Sequence, residues 1–337
     1  MSAWVIPDED GGVEALRREA RDAGAPGPGQ VRVRMRAASL NYRDLSTVET
    51  PKGRSPRFPL VPCSDGAGEV VAVGEGVRSV AVGDRVASCF FQDWADGPCT
   101  PEAMASALGG ARDGVLAEEA VLEEGGVIPV PAHLDFAEAA CLPCAGLTAW
   151  HMLRAPEPVV AGETVLILGT GGVSVFAQQF CAMMGARTIV TSSSDEKLAR
   201  MRAMGAWEGV NYRETPEWQE AVLALTGGRG VDRVMEVGGP GTLPRSIAAT
   251  KVGGRISLGG ILTGAAGAVN PTDIMRRSQT LTGIYVGSRA MFGRMNRAIE
   301  AQGLRPVIDA RFPFDRAPEA FRAMRAAEHF GKIVIEM

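Results

Sequence analysis

The residues best placed to do chemistry lie in 164–195, TVLILGTGGVSVFAQQFCAMMGARTIVTSSSD. An apolar run ends in Gly169, Gly171 and Gly172; a helical pattern follows; a second apolar run ends in Ser192, Ser193 and Ser194. Gly169, Gly171 and Ser174 fill a G-x-G-x-x-G frame with serine in third place. The first glycine permits a tight turn, and the second lets backbone approach a pyrophosphate. The helix opening there offers unpaired N–H groups and a positive partial charge. The third place needs a small residue for helix–strand packing, and serine is the next smallest tolerable choice. Alone, the frame also describes a plain strand–turn–helix corner. After a strand and before a helix it points to a dinucleotide, with Gly169, Gly171, Gly172 and Val173 as contacts.

The serines bear on which dinucleotide. An acid closing the second strand would accept from a ribose 2′-OH and repel a 2′-phosphate. Hydroxyls at Ser192 and Ser193 donate to a phosphate without repelling it. Lys197 adds positive charge, unless it is only a solvated helix face, and Tyr212, in NYRE, brings a phenol from the next strand. Asp195 is read as the start of the helix DEKLARM rather than as a ribose ligand. The expectation is NADP(H) in preference to NAD(H).

The elements that must hold these residues follow from pattern. Residues 29–40 alternate like a strand, and 66–87 are short β-rich runs cut by glycines, as in a small antiparallel barrel. Residues 91–115 have no period and read as a long loop. Later, apolar strands at 164–169, 187–192, 209–212, 231–237, 254–260 and 281–287 alternate with helices from Gly172 and at 195–204, 216–226 and 241–250. That alternation predicts an α/β fold with a doubly wound, six-stranded parallel sheet. The tail, PEAFRAMRAAEHFGKIVIEM, is a helix, a glycine stop and a strand expected to pack back on the first domain.

The 337 residues suggest about two domains. At 46% hydrophobic and 22% charged the chain is globular, and a net charge of −4 supplies no basic field for nucleic acid or anionic lipid. No apolar stretch reaches the ~18 residues of a membrane span, and the start, MSAWVIPDEDGG, has no signal-peptide pattern. Six cysteines in a chain this long suggest reduced thiols and a cytoplasmic location.

The chain resembles a zinc-less member of the medium-chain dehydrogenase/reductase superfamily, in the quinone oxidoreductase and alcohol dehydrogenase-like branch. The resemblance runs almost end to end, through SLNYRDL (39–45), PLVPCSDGAGEVVAVGEGV (59–77), VGDRV (82–86), LPCAGLTAWHML (142–153), LGTGGVS (168–174), SSSDEKL (192–198), GRGVDRVMEVGG (228–239), GGRISLGG (253–260), VGSR (286–289) and HFGKIVIEM (329–337). It implies a GroES-like β-barrel catalytic domain over 1–122, completed by 288–337, a Rossmann domain over 123–287, and an active-site cleft between them. It implies further cofactor contacts at Thr148, Gly238, Gly259, Gly260, Gly287 and Ser288, and a homodimer through the 281–287 strand.

The zinc positions of the superfamily are altered here. The first holds NYRD, the His-Glu place reads Ser64-Asp65, and only Cys144 resembles a ligand. One thiolate cannot hold a catalytic zinc, which needs three protein ligands, so no zinc is expected. Hydride transfer to a quinone or α,β-unsaturated carbonyl then needs a hydroxyl or amide to stabilise developing negative charge. By position in the family motif, Tyr42 is the first candidate. Asn41 would orient substrate or cofactor, and Asp44 would tune Tyr42 or hold its loop. The alternative is that NYRD only positions the loop, with Asp44 paired to Arg43. Phe91 and Trp94 either line a flat substrate pocket or pack the loop. The competing functions are an alcohol dehydrogenase or ketone reductase acting at the C–O carbon, and an NADPH-binding sensor. The small-molecule acceptor itself is not legible.

Overall fold

A computed structural model describes residues 1–55 and 57–337. The chain forms two compact units, 1–147 with 286–337, and 148–285. These limits differ from the expected ones: residues 123–147 pack with the first unit, not with the nucleotide-binding half.

The first unit is built on a mixed sheet. Its strand order is Ile308–Pro313, Lys332–Glu336, Gln30–Ser39, Asp65–Val73, Arg85–Ser88 and Val127–Pro129, with Glu119–Glu123 also paired to Gln30–Ser39. The alternation in QVRVRMRAAS puts Val31, Val33 and Met35 in the core and the intervening arginines outward. As expected, the tail strand joins this sheet. It runs antiparallel to Gln30–Ser39 with Val334 opposite Ser39. Leu40 then donates from its N–H to the Ile333 carbonyl (3.0 Å). Continuing that register brings Lys332 opposite Asn41, where the helix Tyr42–Glu49 begins.

The 91–115 segment is more ordered than its lack of period suggested. It carries a short helix, Pro101–Met104, N-capped by Thr100, and a bridge between Phe91 and Ala107. Phe91 packs edge-on to Phe90 (4.7 Å between centroids) and to Trp94 (5.6 Å).

The second unit is the expected parallel sheet, ordered Glu208–Asn211, Arg187–Ser192, Thr164–Leu168, Val231–Glu236, Thr250–Leu258 and Thr280–Gly283. Its central strands, TVLIL and VDRVME, are buried at every residue. That is the signature of a parallel sheet covered on both faces. The buried Arg233 in that interior donates from Nη1 to the carbonyls of Met152 (2.9 Å) and Ala155 (2.7 Å) and from Nη2 to that of Glu157 (2.5 Å). No helix among the described residues is long and apolar enough to cross a membrane.

Candidate active site and dinucleotide site

In the second unit the strand Thr164–Leu168 stops at Gly169, whose φ of 73° is a left-handed conformation that suits glycine. The helix Gly172–Met184 starts directly after Gly171, and no side chain caps it. The N–H groups of its first turn, those of Gly172 and Val173 among them, are therefore left for a ligand. A side chain at Gly171 would meet no atom within 4 Å, so the space over the turn is open. Ser174, in the third place of the frame, donates its hydroxyl to the Leu168 carbonyl (2.6 Å). Serine here ties helix to strand, a job glycine does by close approach alone. These features fit a dinucleotide pyrophosphate.

A second glycine turn lies beyond the strand Val231–Glu236. The buried carboxylate of Glu236, which sequence inspection passed over, accepts from Gly238 N (2.7 Å), Gly239 N (3.0 Å), Thr242 Oγ1 (2.6 Å) and Ser246 Oγ (2.5 Å). A Cβ on Gly238 would come 2.3 Å from Thr242, and one on Gly260 would come 2.4 Å from the Val237 carbonyl. Gly259 is crowded by Met152 and by the buried Thr148. Close packing thus accounts for these three glycines by itself.

At the end of the second strand, Ser192 is buried and its hydroxyl accepts from Ser194 N (3.3 Å). Ser193 and Lys197 are half-buried. Ser194, not Asp195, caps the next helix, accepting from Lys197 N (3.3 Å). Asp195 instead accepts from Asn211 Nδ2 (3.0 Å). Tyr212 donates from its backbone to the Ser192 carbonyl (3.0 Å), and the side chains of Tyr212 and Arg213 are exposed.

Two expected cofactor contacts, Gly287 and Ser288, fall in the first unit. Gly287 is packed against Leu147, and buried Ser288 caps the helix Arg289–Gln302 by accepting from Met291 N (3.3 Å). Arg289, the first residue of that helix, donates from Nε to the Val127 carbonyl (2.9 Å). Phe91 and Trp94 are 1% and 5% exposed, so they present almost no surface to a substrate; the loop-packing alternative describes them.

The chemistry-bearing group of the first unit surrounds the Asn41–Tyr42 turn. Tyr42 opens its helix and is 47% exposed. Asp44, fully buried, accepts from Asn41 N (2.9 Å) and pairs with Arg43 (3.3 Å). Arg43 also donates to the Gly109 carbonyl (3.2 Å) and lies over the Phe90 ring (4.7 Å). The Asp44–Arg43 pairing weighed above is therefore present.

Two residues that sequence reading did not nominate complete the group. Asp65 is fully buried, and its two oxygens accept from Ser64 Oγ (2.7 Å) and from Cys144 N (2.9 Å). The π-helical turn Leu142–Gly146 presents that N–H. Lys332, also buried, donates to the Leu40 carbonyl and to Asn41 Oδ1, both at 2.6 Å. Burial pushes the Asp65 carboxyl up to about 6, against the opposing pull of the Lys332 charge. Burial, with the nearby carboxylates, also holds the Cys63 and Cys144 thiols well above their ordinary value.

The family model for alcohol dehydrogenase GroES-like domains matches residues 27–132, and that for zinc-binding dehydrogenases matches 172–301. The chain is 43% identical to a zinc-type alcohol dehydrogenase-like protein of Schizosaccharomyces pombe, over 99% of each. It is 31% identical to a quinone oxidoreductase of Pseudomonas aeruginosa, over 96% of each. The solved structure of an NAD-dependent alcohol dehydrogenase, 35% identical, superposes with a TM-score of 0.90 over 100% of both chains. The chain belongs to the medium-chain dehydrogenase/reductase superfamily. It is an NAD(P)-dependent oxidoreductase of that family.

The zinc in two of those descriptions can be tested on the donors. Among the described residues no three His, Cys, Asp or Glu side chains are grouped to hold a metal. Both Asp65 oxygens are engaged, and the Lys332 charge acts on Asp65 and on the neighbouring thiols. This donor set does not fit a zinc ion, which needs three protein ligands free to bind it.

Two expectations follow. Replacing Gly171 with alanine leaves the melting temperature within a degree or so, because the Cβ meets nothing, yet weakens dinucleotide binding at least about tenfold. Unchanged binding by titration calorimetry would show that the open turn is not the phosphate site. The second concerns Asp65. Its folded pKa is raised, so its neutral form stabilises the fold below about pH 4, and that contribution is lost as pH rises through about 6. The span is worth at most about 3 kcal/mol. In Asp65→Asn the contribution is pH-independent, so the variant's melting temperature rises relative to wild type between pH 4 and 7. A constant offset across that range contradicts the assignment.

Proposed function

We propose that the protein is an NADPH-dependent reductase that delivers hydride to the β-carbon of an α,β-unsaturated carbonyl or to a quinone, without a metal. The observation that carries this reading is the identity of the interior cation. Where a Lewis acid would need ligands, the first unit buries Lys332, with its protons directed at Leu40 O and Asn41 Oδ1. Tyr42, the residue after Asn41, has an exposed phenol open to a substrate.

Bound NADPH supplies the hydride. The first-turn N–H groups of the helix Gly172–Met184 would hold its pyrophosphate. Ser193, Lys197, Tyr212 and Arg213 would receive the 2′-phosphate, since none of them repels it. Asp195, which follows the serines, is already engaged by Asn211. One solved relative is NAD-dependent, so the preference for NADP(H) rests on this chain's own residues. In the first unit the Tyr42 hydroxyl donates to the carbonyl oxygen as enolate character develops and gives its proton to that oxygen; solvent reprotonates the phenol and supplies the α-carbon proton as the enol becomes the aldehyde. Asn41, its side chain held by Lys332, fixes where that hydroxyl starts. The working form is proposed to be a cytoplasmic homodimer acting on small molecules, with neither nucleic acid nor membrane as a partner; the net charge of −4 supports the last point.

Protein dialysed against a strong chelator is expected to keep its full rate with NADPH and an aromatic enal, and to yield the saturated aldehyde. Loss of turnover that zinc restores, or an allylic alcohol as product, contradicts the proposal and favours attack at the C–O carbon. Lys197→Ala is expected to raise KM for NADPH roughly tenfold through the lost phosphate contact, with KM for NADH unchanged. Equal changes for both cofactors would place Lys197 away from the 2′-phosphate.

A further inference from the structure

We infer that Lys332 is a positioning residue for the reaction: its ammonium clamps the Leu40–Asn41 turn and so sets the placement of the Tyr42 hydroxyl. This rests on the role proposed for Tyr42 and goes beyond it, because it assigns a part to a residue that touches neither substrate nor cofactor.

Packing does not call for a lysine here. In KIVIE the first four residues are buried, and an apolar side chain at 332 would fill the same interior without a desolvation cost. What the ammonium adds is direction. Leu40 is held at both ends of its peptide plane system, by Ile333 O at its N–H (3.0 Å) and by Lys332 Nζ at its carbonyl (2.6 Å). Asn41 is likewise held twice, by Asp44 at its N–H (2.9 Å) and by Lys332 at Oδ1 (2.6 Å). Four bonds therefore fix the two residues immediately before Tyr42. The anchor for Asp44 is Arg43, itself bound to backbone of the 107–110 segment.

Charged and titratable groups surround this clamp on several sides. The charged and titratable groups facing it are Asp65 and Asp44, with Arg43 and the thiols of Cys63, Cys141 and Cys144. Two carboxylates thus balance the two cations. Register supplies the remaining constraint. The bond to Asn41 spans 291 residues of chain and exists only because the last strand pairs with Val334 opposite Ser39. A slip of one residue would turn Lys332 to the other face of the sheet.

The test is a double-mutant cycle on kcat, using Lys332→Met, Tyr42→Phe and the pair, with an aromatic enal and NADPH. Lys332→Met is expected to lower kcat by about 10²-fold, the cost of displacing a reacting group by about an ångström, while Kd for NADPH stays within about twofold. Tyr42→Phe is expected to fall comparably, and the pair no further than Tyr42→Phe alone, since Lys332 acts only through Tyr42. Lys332→Arg, which keeps a cation in reach of both acceptors, should recover part of the loss. If Lys332→Met does not fold, Asn41→Ser serves instead: serine is a favoured N-cap residue but is too short to meet Lys332, and should show the same non-additivity with Tyr42→Phe. If Tyr42→Phe lowers kcat but Lys332→Met and Asn41→Ser do not, or their losses multiply with it, the inference about Lys332 is wrong and the Tyr42 role survives. If Tyr42→Phe retains full kcat, the Tyr42 role itself fails and the inference falls with it.

Discussion

A single buried ammonium organises the chemical end of the first unit. Lys332 arrives on the last strand of the chain and donates to a backbone carbonyl and a side-chain amide at the start of the Tyr42 helix. An unpaired charge in that interior would be strongly destabilising. Here Asp65 and Asp44 offset it, and each carboxylate is itself fixed, Asp65 by Ser64 and Cys144, Asp44 by Asn41 and Arg43. The cost of burying four charges is met by a network in which nearly every bond locates the same turn. The π-helical turn at Leu142–Gly146 then reads as backbone arranged around Asp65.

The second unit uses a different device. Its glycines divide into two kinds once the space around each is examined. Gly171 borders open space at an uncapped helix end, whereas Gly238, Gly259 and Gly260 are glycine because their neighbours leave no room for a side chain. Glu236 explains the second turn: its carboxylate gathers two backbone N–H groups and two hydroxyls, so the loop after the strand is rigid before any ligand arrives. Preorganisation of this sort keeps binding energy from being spent on ordering loops.

Much of this architecture was legible in the sequence. Local pattern suffices for strands such as TVLIL, for the glycine turn and for the returning tail, because each depends on hydrophobic period and on turn residues close together in the chain. Asp65 and Lys332 escaped notice because their importance lies in who faces them. A lysine opening KIVIEM reads as an ordinary solvent-facing strand end until register places it opposite a residue 291 positions earlier. Glu236 escaped for a related reason, since an acid ending an apolar strand gives no local hint that its oxygens will turn back on the following glycines. Phe91 and Trp94 admitted two readings. An aromatic cluster in an aperiodic segment suits either a pocket wall or loop packing, and edge-on contacts among the buried rings favour the second. The domain limits moved because 123–147 reads as a change of texture in sequence, while its helix Phe136–Ala140 packs with the first unit.

The most direct test of the account follows where the two transferred hydrogens end up. Wild-type protein would convert an aromatic enal with ordinary NADPH in deuterated water, and NMR would locate deuterium in the product. Hydride delivery to the β-carbon, with Tyr42 protonating the carbonyl oxygen and solvent the α-carbon, predicts a saturated aldehyde carrying one deuterium at the α-carbon and none at the β-carbon. A product with no deuterium on its carbon chain and an intact double bond would mean that the carbonyl carbon was reduced, and would contradict the account.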